Sequence, residues 1–514
     1  METIIPAAHH HYFHLAQSLG FFLLIQFQVR LAKKKVGDCS WSYIDTPLQV
    51  KHINNAKLLM RMRVSLMRGN FFLLLFIVSG CSTVPNVEHK ASFVVPPVWQ
   101  ADKTVNHKIT EQWLTQFADS QLTQVVNEAL ACNYDLKAAA VRINAAHEQA
   151  IIEGAQRLPQ LSALPNYQNQ RDSLNGTTSG FDALFNLSWE LDVWGRIRDS
   201  QQAAGQEASA VGEDYQAARL SLAARTAQSY FELIEANLQV QVAEQSIKDR
   251  RVIADLVRGR FERGLTGGLD LRLVLTDLAN AEASVASSRN QVQIITRRLE
   301  VFLGRYPSGQ LQEIAKLPTP PNALAAGLPS ELLTRRPDII AAFNRILAAD
   351  SRLSSAQKAL LPRLALTASG GTSSTALSEL IDPRAVAWNV AMGLLQPIFT
   401  GGRLQATIRL NEAQKEEAVN HYQSTALNAF REVEQALAAE QWLRAQEKAL
   451  QEAVEQTEAS RQLAVYSYGQ GLIQILTLLD SYRSTFTAQS EHLAVHRQLL
   501  NNRINLYLAL GGGV

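Results

Sequence analysis

The amino-acid sequence carries the same passage twice. Asn133-Tyr134-Asp135-Leu136-Lys137-Ala138-Ala139 returns as Arg336-Pro337-Asp338-Ile339-Ile340-Ala341-Ala342, and Leu158-Pro159 returns as Leu361-Pro362, both at a shift of 203. Gly195-Arg196 returns as Gly402-Arg403, Gly264-Leu265 as Gly471-Leu472 and Leu303-Gly304 as Leu510-Gly511, all at a shift of 207. A period this long is not a short-repeat solenoid. It is a duplicated half-molecule, with four extra residues inside the second β segment. The fold must therefore be one that the same elements can build twice.

Those elements are of two kinds. Arg403 to Tyr468 contains no Gly or Pro, and neither does Glu213 to Arg258. At about 1.5 Å per residue the first run would extend roughly 100 Å as a helix, far beyond a globular-domain helix. Leu220, Ala223, Ala224, Ala227, Phe231, Ile234 and Leu238 recur at helical spacing, an Ala-rich stripe that lets neighbours approach closely. Leu269–Leu303 and Leu472–Leu510 predict return helices, making two helical hairpins with tips at about 263–268 and 468–473.

Between the helices lie strands. Phe181, Ala183, Phe185, Leu187, Trp189, Leu191 and Val193 take every second position, with polar Asp182, Asn186, Ser188, Glu190 and Asp192 among the rest. Val386, Trp388, Val390, Met392 and Leu394 repeat the pattern. Long strict alternation is the signature of a transmembrane strand, apolar to lipid and polar to the lumen. The partner strands are expected at Leu161–Gln168 and Leu364–Gly370, with Asn175-Gly176 in the first turn and Gly371–Pro383 as the second loop. The class is mixed α and transmembrane β. Four strands cannot close a barrel, and an open edge cannot face lipid; the smallest closed membrane barrels use about eight. Several chains must each donate strands to one barrel.

The N-terminus points to export. Basic Arg61, Arg63 and Arg68 precede the apolar run Phe71–Val78, and small residues follow, which reads as a signal peptide over 62–80. Val78-Ser79-Gly80-Cys81 resembles a bacterial lipoprotein box. That resemblance implies diacylglycerol and an acyl chain on Cys81, a stable anchor, and Ser82 in place of Asp favours the outer membrane. Residues 1–61 read as an over-long start assignment, and 81–110 as an extended lipidated tether with Pro85, Pro96 and Pro97. The first repeat then runs over 111–304, a linker over 305–330 and the second repeat over 331–514.

Ser188-Trp189-Glu190-Leu191-Asp192-Val193-Trp194-Gly195-Arg196-Ile197-Arg198 and Gln396-Pro397-Ile398-Phe399-Thr400-Gly401-Gly402-Arg403-Leu404 resemble the two strand-to-helix signatures of TolC-type outer-membrane efflux factors. The lipoprotein box resembles that family's lipoprotein branch. The resemblance implies a homotrimer with one 12-stranded barrel, continued by a periplasmic α-helical tunnel, docked through a periplasmic adaptor protein to an inner-membrane efflux pump. It implies a gate at Leu476, Asp480 and Arg483: an apolar ring, an acidic ring and a partner holding the helices closed. It also implies adaptor-docking tips at Arg263, Gly264, Leu265, Thr266, Gly471 and Leu472, with Ile473 standing where a small hydroxyl residue is common. Independently, Asp480 and Arg483 are i, i+3 neighbours near a narrow tip, and symmetry-related carboxylates there would bind cations.

Enzyme constellations are missing: no P-loop with Lys, no HExxH and no GxSxG. Glu190 and Asp192 read as polar lining, and Trp189 and Trp194 as interface-belt anchors. The four histidines of the helices, His147, His421, His492 and His496, offer no zinc set, and Cys132 reads as a small buried residue. Beyond residue 80 the chain has 40 basic against 44 acidic residues, no footprint for nucleic acid. No cofactor or metal is expected beyond the lipid on Cys81. The reading is a passive export duct in contact with outer-membrane lipid. Its competitor is a structural coiled-coil outer-membrane lipoprotein without a pore, which leaves the alternating strands unexplained.

Overall fold

The computed structural model of the chain describes residues 95–101, 113–172, 176–310, 316–321 and 327–513. Cys81 and the signal segment lie outside the described residues. Seven main helices and four strands follow in the order α1 (Ser120–Cys132), α2 (Tyr134–Ala155), β1 (Gln160–Asp172), β2 (Gly176–Leu191), α3 (Arg196–Glu262), α4 (Gly268–Phe302), α5 (Pro337–Lys358), β3 (Arg363–Ser374), β4 (Val386–Leu395), α6 (Arg403–Gly469) and α7 (Ile475–Ala509). The duplication is visible in the lengths. α2 and α5 have 22 residues each, α3 and α6 have 67, and α4 and α7 have 35.

Local chemistry starts these helices. The Asp119 carboxylate accepts from the Gln121 and Leu122 amides and caps α1; the Asn133 side chain accepts from the Leu136 amide and caps α2. α5 opens on Pro337, whose missing N–H costs nothing in a first turn. α3 and α6 both begin after a glycine in left-handed conformation, Gly195 at φ 79° and Gly402 at φ 82°. Each reverses the chain from strand to helix in a backbone that a side chain would strain.

Helix α3 is the axis of the fold. Near the sheet it packs against α2 and α5, and farther along against α4 and α7; α5 and α7 in turn pack against α6. The main core lies at the middle of α3, where Ala223, Ala224, Ala227, Phe231 and Ile234 meet Trp113, Phe117 and Leu122 before and within α1, and Leu500, Ile504 and Tyr507 of α7. A second cluster joins Ile339 of α5 to Val433 and Leu437 of α6. Trp99 is buried in it, donating its indole N–H to the Gly327 carbonyl at 3.1 Å, while the Gln100 and Ala101 amides both donate to Glu434 at 2.8 Å. The expected tether is therefore pinned at this point.

The strands form one antiparallel sheet in the order β1-β2-β3-β4. Tyr167 and Phe181 stand opposite each other across β1 and β2 with ring centroids 4.6 Å apart, a cross-strand pair of the stabilising kind. β2 and β3 join the two repeats from Phe181↔Ser374 to Leu191↔Leu364. All four strands exceed or match their expected lengths, and β3 takes Gly371–Ser374 from the expected loop. Gly371 is in the sheet because nothing larger fits: a Cβ there would lie 2.1 Å from the Ala183 carbonyl oxygen.

Helix α3 begins at Arg196, 17 residues before the stretch free of Gly and Pro that opens at Glu213, and runs through Gly205 and Gly212. Cys132, expected buried, is a half-buried free thiol. Among the described residues no helix is long and apolar enough to cross a membrane, and no group of three His, Cys, Asp or Glu could hold a metal.

Candidate functional site: helical tips, gate stripe and open sheet edges

Both tips are the same turn. After α3, the Gly264 amide donates to Phe261 O and the Leu265 amide to Arg260 O, each at 2.9 Å; after α6, the Gly471 amide donates to Tyr468 O at 3.0 Å and the Leu472 amide to Ser467 O at 2.9 Å. This paired pattern, with glycine at φ 69° and 77°, is the Schellman helix stop. In that motif the residue after the glycine commonly packs back on its own helix. Here Leu265 and Leu472 remain 62% and 73% exposed. Thr266 donates to Asp270 on the first turn of α4. Arg263 folds back to the Gly259 carbonyl at 2.9 Å.

Beneath the tips an apolar cluster ties the two hairpins together. Ile253, Ala254 and Val257 of α3 and Val274 of α4 meet Tyr468 and, from α7, Ile475, Leu478, Leu479 and Tyr482. Spacing of i, i+3, i+4 and i+7 puts those four α7 residues on the inward stripe. The stripe at i, i+4 and i+7 beside it carries Leu476, Asp480 and Arg483, all exposed. The three residues expected at the gate thus share one face of α7.

Their bonding differs from the expectation. Arg483 does not pair with Asp480, three residues away. Its guanidinium donates to Asp277 Oδ1 on α4 at 3.0 and 3.1 Å. The other oxygen of Asp277 accepts from Arg250 Nε of α3 at 2.6 Å. The Asp277 side chain is 4% exposed, so one buried carboxylate holds three helices through two guanidiniums. A cavity of about 250 Å³ opens beside it, lined in part by Ser246, Asn280, Ser284 and Phe486. Through the adjacent residues Asp249 and Tyr482 a second group forms: Arg461 of α6 bonds Glu458 and Asp249 and lies over the Tyr482 ring at 5.2 Å. The hydrogen bond from Arg461 holds the Glu458 carboxyl below its ordinary range, against a smaller upward push from burial. Asp277 and Asp249 are far from these partners in sequence, and no local spacing signalled them.

At the other end, Trp189 donates to Arg157 O and Trp194 to Pro362 O, each at 2.8 Å. Both indoles pin the strand-to-helix junction, Trp194 across the two repeats. Glu190 and Asp192, expected as polar lining, are both engaged in bonds. Glu190 pairs with Arg196 at 2.9 Å, and Asp192 accepts from the Ile197 and Arg198 amides at 3.0 and 2.7 Å, supporting the start of α3. In the second repeat Pro397 and Gly401 (φ 60°) occupy the equivalent junction, and Ile398 and Phe399 stand exposed.

The sheet edges are open: among the described residues β1 and β4 each pair on one side only. β4 is exposed along its whole length, with Val386, Trp388, Val390, Met392 and Leu394 among its bare apolar residues.

A family model described as outer membrane efflux protein matches residues 125–305 and again 328–512, one match per repeat. The chain is 31% identical over 443 residues to the pyoverdine export outer membrane protein OpmQ of Pseudomonas putida, covering 82% of this chain and 92% of that one. It is 30% identical over 450 residues to the cation efflux system protein CusC of Escherichia coli, covering 86% and 98%. The crystal structure of the open state of the Neisseria gonorrhoeae MtrE outer membrane channel superposes with a TM-score of 0.75 at 28% identity, covering 84% and 98%. The pore-less coiled-coil reading finds no support in these relatives. With matches that span both of its repeats, the chain belongs to the outer membrane efflux protein family.

Proposed function

We propose that three copies of this chain, anchored through lipid on Cys81, close one 12-stranded barrel in the outer membrane and continue it as a helical periplasmic duct. The duct passively conducts small molecules delivered by an inner-membrane pump through a periplasmic adaptor. The single observation carrying this reading is the four-stranded sheet, whose two edges are unpaired among the described residues and one of whose edge strands is bare and apolar. Backbone groups in lipid must be satisfied, so such a sheet needs partners on both edges. Similarity to MtrE, named an outer membrane channel, and to OpmQ and CusC, named for pyoverdine export and cation efflux, supports the export role.

Leu265 and Leu472, held out by their turns, are the surfaces on which an adaptor would seat. Leu476 and Asp480 form the constriction, and Arg483 locks it through Asp277. The test is single-channel conductance in planar bilayers. Replacing Asp480 and Arg483 with Ala is expected to raise conductance, because the charge at the constriction and the link from α7 to α4 are both lost. Unchanged conductance in an assembled double variant would falsify the gate assignment.

A further inference from the structure

Between the repeats, residues 316–321 run across the second hairpin, and two guanidiniums and one imidazole hold them there. Leu317 is buried in the main core. Arg444 of α6 donates to the Pro321 carbonyl at 3.0 Å, and Arg503 of α7 approaches the same oxygen at 3.5 Å. Both guanidiniums are also tied to Glu440. The third side chain is His496 of α7. Its Nε2 lies 3.1 Å from the Pro318 carbonyl oxygen, and its Nδ1 lies 2.6 Å from Glu447 Oε1 of α6.

These two contacts fix a proton count. A carbonyl oxygen and a carboxylate oxygen are both acceptors, whereas a neutral imidazole has one N–H. Satisfying both needs one proton more than a neutral histidine facing an ionised glutamate can supply. Guanidiniums do not lose their charge in proteins. Of these three side chains on the linker, only the histidine belongs to a residue type that titrates between about pH 5 and 8.

We propose that His496 is a proton-dependent clasp between the inter-repeat linker and the second helical hairpin. It is closed while the His496–Glu447 pair holds its extra proton, and it releases Pro318 when that proton is lost. Among the described residues, the titratable groups facing His496 are Glu447 from α6 and His492 from α7, whose ring centroid is 6.4 Å away. Burial lowers the His492 pKa, the charge of His496 lowers it further, and Glu447 opposes both. His492 thus favours its neutral form beside the clasp. Arg497, the next residue, turns to Glu235 of α3 instead. The hairpin held in this way is the one that carries Leu476, Asp480 and Arg483, and the clasp sits 13 residues along α7 from Arg483, about 20 Å of helix.

The test is tryptic cleavage after Lys316, which is exposed and precedes buried Leu317. The full-length protein in detergent is cut at pH 6.0 and pH 8.5, each rate divided by that of a free peptide of the same sequence. We expect the normalised rate to be about tenfold higher at pH 8.5, the effect of losing one charge-assisted hydrogen bond. His496→Gln should be cut quickly at both pH values and His496→Arg slowly at both. His492→Gln should keep the wild-type ratio. Each variant is first checked for wild-type oligomer size on a native gel. A wild-type ratio near one, a tenfold ratio surviving in His496→Gln, or its disappearance in His492→Gln would each overturn the proposal.

Discussion

Asp277 shows what one buried carboxylate can do when two cations converge on it. Arg250 is itself buried, so removing Asp277 strands a charge away from water, which costs on the order of 3–5 kcal/mol. Arg483 is 59% exposed on its side chain, and a solvated partner contributes at most about 1 kcal/mol. Asp277→Ala should therefore lower the thermal unfolding midpoint in detergent clearly more than Arg483→Ala does. Equal shifts would mean that Arg250 finds another acceptor. This part of the site was half legible. Helical spacing put Asp480 and Arg483 side by side, the family resemblance added Leu476, and in the structure all three lie on one exposed face of α7. The partner of Arg483 stands 206 positions earlier in the chain, and only the packing of α4 against α7 brings it close. The same holds for Glu447 and His496, which look unrelated until two antiparallel helices put them side by side.

Among the elements, the strands carry the sharpest sequence requirement. Adjacent Gly370 and Gly371 look interchangeable, yet they point to opposite faces of β3. A Cβ at Gly370 would stand 4.0 Å from the Trp388 Cβ, ordinary contact, whereas at Gly371 it would collide with the backbone of Ala183 and Leu184. Gly371→Val should break the joint between β2 and β3 and abolish heat-resistant assembly on gels, while Gly370→Val should assemble. Helix α3 teaches the opposite lesson about glycine. Its first 17 residues contain Gly205 and Gly212, which cost only about 0.5–1 kcal/mol each relative to Ala. A helix packed along its length against α2 and α5 absorbs that cost. Strand alternation, by contrast, was legible because each residue's side of the sheet is set by its own position.

For the whole molecule, the apolar edge strand ties folding to assembly. A charged side chain near the middle of a membrane strand costs about 2–4 kcal/mol, and in the proposed shared barrel that cost applies once per copy. Val390→Lys should therefore suppress outer-membrane insertion, read as lost channel activity in reconstituted bilayers. The same substitution at Leu463, an exposed position on α6 beyond the sheet, should leave insertion intact. A normally inserted Val390→Lys channel would show that this edge does not meet lipid.

The equal 67-residue spans of α3 and α6 restrict how such a protein can change size over evolutionary time. Adding seven residues to one of them would push its turn about 10 Å past its counterpart, leaving the bottom rim ragged and any docking ring stepped. Length can therefore drift only in tandem, so a lineage that stretches one half must stretch its twin by the same number of turns.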